Sequence, residues 1–149
     1  MWEYEHVETT EVPAEAIWRA WADVPRWQEW NPDVTAAEVD GAFEAGSMIS
    51  MSLGSGDVVP LRLVDVVPGE RFVDEATLDG ITVRTVHRVE RQPGGGSRVG
   101  YATQVTGVVP AEVLAEVGGA ITADFPQTVA ALLAHCASGS AAGSAAGPA

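Results

Sequence analysis

The sequence has no lysine, and all eight of its cations are arginine. Without a lysine amine there is no Schiff-base nucleophile and no phosphate-loop lysine. Twenty-one acidic residues set against eight basic ones give a formal net charge of −13. A surface of that sign repels phosphate backbones and anionic lipid, which argues against nucleic acid and membrane surfaces as partners. Cysteine occurs once, at Cys136, so the chain can form no internal disulfide and no cysteine-rich metal site. His6, His87 and His135 lie far apart and form no HxH or HExxH pair, so no metal is expected. Neither GxSxG nor a cysteine–histidine signature is present, which leaves nucleophilic hydrolysis without support. No run approaches the roughly 18–20 apolar residues of a membrane span. The opening stretch, Met1 to His6, is acidic where a secretory leader is basic and then apolar, and a reduced, cytoplasmic setting is expected.

What is present fits one domain. A chain of 149 residues, 46% hydrophobic and 19% charged, has enough apolar material for a globular core. Residues 137–149 are alanine, glycine and serine with one proline. They offer no large side chain to bury and are expected to be a disordered tail after a domain at 1–136. Residues 2–10 alternate loosely and predict a first strand. Pro13 suits a first helical turn, and Ile17, Trp18 and Trp21 then share one helix face. Pro25 opens a second short helical piece that Asn31-Pro32 stops. From Val34 to about Gly107 the period becomes two, cut by Asp40-Gly41, Gly54-Ser55-Gly56, Pro68-Gly69, Asp79-Gly80 and Pro93-Gly94-Gly95-Gly96. Such short spacing predicts an antiparallel meander, with 81–91 and 97–107 as its clearest hairpin. The glycine cluster joins two strands and precedes no helix, so it reads as a turn and not as a phosphate loop. Beyond Pro110, Val117, Ile121, Phe125, Val129, Leu132, Leu133 and Cys136 predict a long helix, bent or broken at Gly118-Gly119, at Pro126 or at both.

This order of elements carries a family resemblance. Its pieces are Val12-Pro13-Ala14-Glu15-Ala16-Ile17-Trp18, then Asp23 with Trp27-Gln28-Glu29-Trp30-Asn31-Pro32. Val64 to Phe72, His87-Arg88-Val89-Glu90 and the closing apolar helix complete them. Together they resemble the SRPBCC superfamily of START and birch-pollen-allergen-like helix-grip proteins, and within it the polyketide cyclase/dehydrase-like group, over essentially 1–136. The resemblance implies an α+β helix-grip fold: a curved antiparallel sheet of about seven strands around a long C-terminal helix, with two short helices after the first strand. It also implies a deep apolar pocket between sheet and helix for a small hydrophobic or aromatic molecule, held by a monomer or homodimer. Members of the group differ in activity. Some cyclise or dehydrate polyketides, others bind or carry ligands, and some regulate another protein.

Strand parity selects the side chains that face such a pocket. In 81–91, Ile81, Val83, Thr85, His87 and Val89 share one face, matched in 97–107 by Val99, Tyr101, Thr103 and Val105. In 70–77, Phe72 goes with Asp74 and Ala76. In 58–67, Arg62 goes with Val64 and Val66, and Leu61 and Leu63 compete for the same face. His87, Tyr101 and Asp74 are the candidate catalytic groups. A histidine moves protons near neutral pH, a tyrosine hydroxyl donates to an enolate oxygen, and a carboxylate in an apolar wall is a base. Trp27, Trp30, Arg62, Thr85, Thr103 and Phe125 are the candidate ligand contacts. The competing reading is structural: a histidine and a tyrosine on neighbouring strands can simply satisfy each other, and tryptophans pack cores. The expected function is cyclase/dehydratase-like acid/base chemistry without a cofactor, with a non-catalytic binder or carrier as the alternative.

Overall fold

The computed structural model describes residues 1–146, with side chains described as far as 138. Strand β1 (Trp2–Thr10) is followed by α1 (Ala14–Ala22) and a 3₁₀ turn (Val24–Glu29). Six strands come next: β2 (Val34–Val39), β3 (Met48–Leu53), β4 (Val58–Val67), β5 (Arg71–Leu78), β6 (Ile81–Arg91) and β7 (Ser97–Gly107). Helices α2 (Ala111–Thr122) and α3 (Phe125–Ala146) close the chain. The side chains of 139–146 and the whole of 147–149 lie outside the described residues, and the expected tail falls mostly there.

All seven strands form one sheet in the order β1-β7-β6-β5-β4-β3-β2, each pairing antiparallel. Only β1 is out of sequence, so the N-terminal strand pairs with the last one and the meander between them curves around the helices. This is the helix-grip arrangement. The β6–β7 hairpin has the predicted bounds. Its turn needs Gly94, Gly95 and Gly96 at φ of +87°, +102° and +79°, a run of left-handed backbone that side chains resist. The predicted C-terminal helix divides at Ala123 and Asp124, just before Pro126. Pro126 cannot bond back into a preceding turn, and its ring crowds that turn. Gly118 and Gly119 stay helical.

Two apolar clusters fill the concave side. The larger joins Ile17 and Trp21 of α1, Val24 and Trp27 of the 3₁₀ turn, Ile49, Leu63, Phe72, Val99 and Tyr101 of the sheet, and Val129, Leu132 and Cys136 of α3. The smaller lies beneath α2, where Leu114 packs with Ile81, Val83 and Val105, and Trp2 closes against them. Gly118 permits that contact, because a β-carbon there would overlap the Trp2 indole. Beside it, Gly119 faces open space.

The two glycines therefore respond oppositely to alanine. Gly119→Ala should raise stability by up to about 1 kcal/mol, the usual gain from removing a helical glycine. Gly118→Ala should lower it by about 1–3 kcal/mol through overpacking. Urea unfolding of both variants checks this, and equal effects would remove the assigned contact between Trp2 and α2.

Candidate functional site

Register aligns the inward side chains in rows across the sheet. One row is Val66, Phe72, His87, Tyr101 and His6, running from β4 to β1. The next is Leu63, Asp74, Thr85, Thr103 and Tyr4. The third is Ala76, Val83, Val105 and Trp2. The concave face is thus layered as aromatic, polar and apolar, with the polar row between the two clusters.

The aromatic row is packed solid. Trp21, fully buried, reaches from α1 to donate its indole N–H to the Tyr101 hydroxyl at 3.1 Å. Its ring lies 5.4 Å from Phe72, 6.0 Å from His87 and 6.1 Å from Tyr101. His87 stacks on Phe72 at 3.9 Å with 3° between planes, and meets Tyr101 edge-on at 4.6 Å. Its Nδ1 lies 3.3 Å from the Phe72 carbonyl. A carbonyl only accepts, so neutral His87 carries its proton on Nδ1 and presents Nε2 as an acceptor. Burial pushes its pKa down to about 3, against a weaker opposing pull from that carbonyl. His87 is a neutral imidazole at physiological pH. Burial also raises the Tyr101 phenol far above its ordinary value, the Trp21 bond opposes this, and the charge of Asp74 adds to it.

Asp74 is the unusual group. It is 7% exposed, and it stands across the sheet from Leu63 on one side and Thr85 on the other. The hydroxyls of Thr85 and Thr103 beside it bond each other at 2.9 Å. Burial, and then the Glu75 charge, push its pKa up to about 7. A carboxyl in this setting exists in both protonation states near neutral pH, as a proton-transfer group must.

The predicted site residues fall into three groups. His87, Tyr101, Asp74, Thr85 and Thr103 are buried together on the concave face, as parity requires. Phe125, at the start of α3, is half-buried with its ring 5.5 Å from Tyr101 and 6.2 Å from Tyr4. Trp27 and Trp30 are buried at the α1 end, 6.2 Å apart. Trp27 donates to the Trp21 carbonyl at 3.0 Å, and the buried Trp30 indole N–H has no partner among the described residues. Arg62 is a correction. It is exposed on the outer face opposite Glu75, and Leu61 and Leu63 point inward instead. A bulge between Leu63 and Asp65 shifts the register and lets Leu63 and Val66 share one face. Counting by twos back from Val66 therefore assigns the wrong face to Arg62. Tyr4 and His6 were missed, although the weak alternation of β1 carried them. His6 Nε2 lies 3.4 Å from Glu8.

Among the described residues, no three of histidine, cysteine, aspartate and glutamate gather to hold a metal ion, and no helix is long and apolar enough to cross a membrane.

Comparison with known proteins agrees with this geometry. The family described as polyketide cyclase / dehydrase and lipid transport matches residues 1–137. Among curated proteins none matches the sequence. A solution structure from Thermobifida fusca superposes with a TM-score of 0.75 at 20% identity, covering 91% of this chain and 93% of that one. The Zhui aromatase/cyclase from Streptomyces sp. R1128 gives 0.73 at 14% identity, with 91% and 93% covered. A START superfamily protein from Mycobacterium smegmatis gives 0.68 at 13%, with 91% and 97% covered. At these identities the structures share the fold.

The buried carboxyl makes stability depend on pH with a defined sign. Native Asp74 holds its proton to about pH 7, whereas the unfolded chain releases it near the ordinary aspartate value of 3.8. The native state binds the extra proton in that window, so this contribution to stability falls as pH rises toward 7 and is flat above. Asp74→Asn removes it. Its stability advantage over wild type should grow between pH 5 and 7, by at most about 1.4 kcal/mol per pH unit, and then level off. Urea unfolding of both proteins at pH 5, 6, 7 and 8 measures this. A difference constant across the series would mean that Asp74 titrates normally.

Proposed function

The chain belongs to the polyketide cyclase / dehydrase and lipid transport family of the SRPBCC superfamily, and on that premise we propose that it binds a small hydrophobic molecule inside the grip and performs cyclase/dehydratase-like proton transfer on it. The observation that carries this reading is Asp74: a carboxyl buried on the concave face and poised near pH 7 in the polar row. In its ionised form it takes a proton from an acidic carbon between two carbonyls. Tyr101, whose O–H proton remains free to donate while its oxygen accepts from Trp21, stabilises the enolate oxygen. Carbon–carbon bond formation leaves an alkoxide, which takes that proton from Asp74 and becomes a hydroxyl. Asp74, ionised again, removes the remaining hydrogen of the same carbon and delivers it to the hydroxyl, which leaves as water as the double bond forms. The chemistry needs no group beyond these side chains. His87 serves this scheme as a packing and orienting ring, since a histidine held neutral down to about pH 3 is a poor general acid.

Access runs beneath α2. That helix rests on its own small cluster and joins α3 through two residues, so it can lift without opening the larger core. The α1 end is blocked by packed rings. A second reading, a carrier without turnover, draws support from the locking of His87 and Tyr101 into that packing. In the cell, cytoplasmic placement belongs to both readings.

Binding and turnover separate the two. N-phenyl-1-naphthylamine, a neutral apolar probe, should bind saturably to wild type and quench tryptophan fluorescence. Tyr101→Phe should bind it within about tenfold of wild type, because apolar contact dominates such affinity. Dehydrative cyclisation of a poly-β-ketone thioester should fall about 10²–10⁴-fold in Tyr101→Phe and in Asp74→Asn. Binding by wild type without any cyclisation leaves the carrier, and no saturable binding removes both readings.

A further inference from the structure

The interior of the grip contains acceptors and acids but no cation. Lysine is absent from the sequence. Seven of the eight arginines are exposed, and Arg71 is half-buried in an ion pair with Asp65 at 2.8 Å. His87 is neutral and offers its Nε2 lone pair. His6, the other imidazole on the concave side, sits 3.4 Å from Glu8, which balances any charge it takes up. Against these stands Asp74, a buried carboxyl that enters no ion pair among the described residues. A buried anion without a counter-charge is unfavourable, and a second buried anion beside it more so. The net charge of −13 adds a field of the same sign around the whole molecule.

We propose that Asp74 anchors a hydrophobic ligand carrying a protonated amine, and that the grip excludes carboxylates and phosphates. This rests on the ligand-binding part of the reading above and replaces its proton transfer, since a carboxylate paired with an ammonium is no longer poised near pH 7. The ammonium meets the carboxylate in the polar row, with Thr85 and Thr103 alongside, and the apolar skeleton lies against the side chains of the two clusters that flank it. The cation supplies the counter-charge that the protein withholds, so binding shifts Asp74 to its ionised form and releases a proton near pH 7. The groups around that carboxyl are Leu63 of β4, Thr85 and His87 of β6, Tyr101 and Thr103 of β7, and Glu75 on the outer face of its own strand.

Three probes of one skeleton test the proposal on the full-length protein: 1-naphthylmethylamine, 1-naphthylmethanol and 1-naphthoate, titrated by calorimetry at pH 7 in two buffers of different ionisation enthalpy. The amine should bind at least tenfold tighter than the naphthoate and release about half a proton, because Asp74 is about half protonated at pH 7 before binding. In Asp74→Asn, an isosteric change, amine and alcohol should bind within twofold of each other with no proton released. Glu75→Gln, on the outer face, should keep the preference. Naphthoate binding as tightly as the amine in wild type overturns the proposal, as does an amine preference that survives Asp74→Asn, which would trace it to the overall charge. Proton release in wild type decides the matter even if the variant does not fold. Binding of the alcohol with no gain for the amine leaves the ligand-binding reading intact and this inference wrong. Failure of all three to bind overturns both.

Discussion

Trp21 holds the grip closed. Its indole is the largest fully buried side chain, and its single N–H bonds the Tyr101 hydroxyl across the space between α1 and β7. Everything at that end follows from its bulk. Phe72 and His87 stack under it, Trp18 meets it edge-on, and Trp27 hydrogen-bonds its carbonyl. Each aromatic pair is worth about 0.5–1.5 kcal/mol beyond the burial of area. Three of the polar groups brought inside are paired there: the Trp21 indole with the Tyr101 phenol, the Trp27 indole with the Trp21 carbonyl, and the His87 imidazole with the Phe72 carbonyl. A chain with few aromatics spends most of them here, and so fixes the sheet's curvature where strands meet helices.

That packing sets the protonation states of the groups around it. The dry, cation-free surroundings that hold His87 neutral also keep Asp74 protonated to about pH 7. One physical cause, desolvation, therefore moves a base and an acid in opposite directions and leaves the carboxyl as the group poised near neutrality. In ordinary folding terms a carboxyl in the polar row is unfavourable: it lowers stability at working pH and enters no ion pair among the described residues. Groups of that kind belong to function more often than to architecture. Asp74 lies between the packed aromatic layer and the separate cluster beneath α2.

Much of this was legible in the sequence. Turn residues bounded the β6–β7 hairpin, Pro13 and Pro25 marked the two helical starts, and alternation put Asp74, Thr85, His87, Tyr101 and Thr103 on one face. The single failure of parity, Arg62, has a local cause: the bulge near Asp65 adds one residue to β4 and reverses the count, and neither glycine nor a turn signal announces it. The neighbouring Leu61 and Leu63 did compete for that face. Tyr4 and His6 were hidden because β1 alternates weakly and pairs with a strand some ninety positions away.

The sequence by itself determined the fold and the facing of most strands, because periodicity and turn chemistry act over a few residues and need no distant partner. It also determined what the interior lacks, since a cation that is absent from the chain cannot be placed. Only the tertiary structure decided which of the inward groups are tied and which are free. His87, Tyr101 and Asp74 all stood as candidate acid/base groups; burial under Trp21 packs His87 and Tyr101 as strongly shifted rings, and Asp74 is the one held near neutrality. A pKa is set by what surrounds a side chain in three dimensions, and those surroundings come from β4, β6, β7 and α1, none of which alternation along β5 can describe.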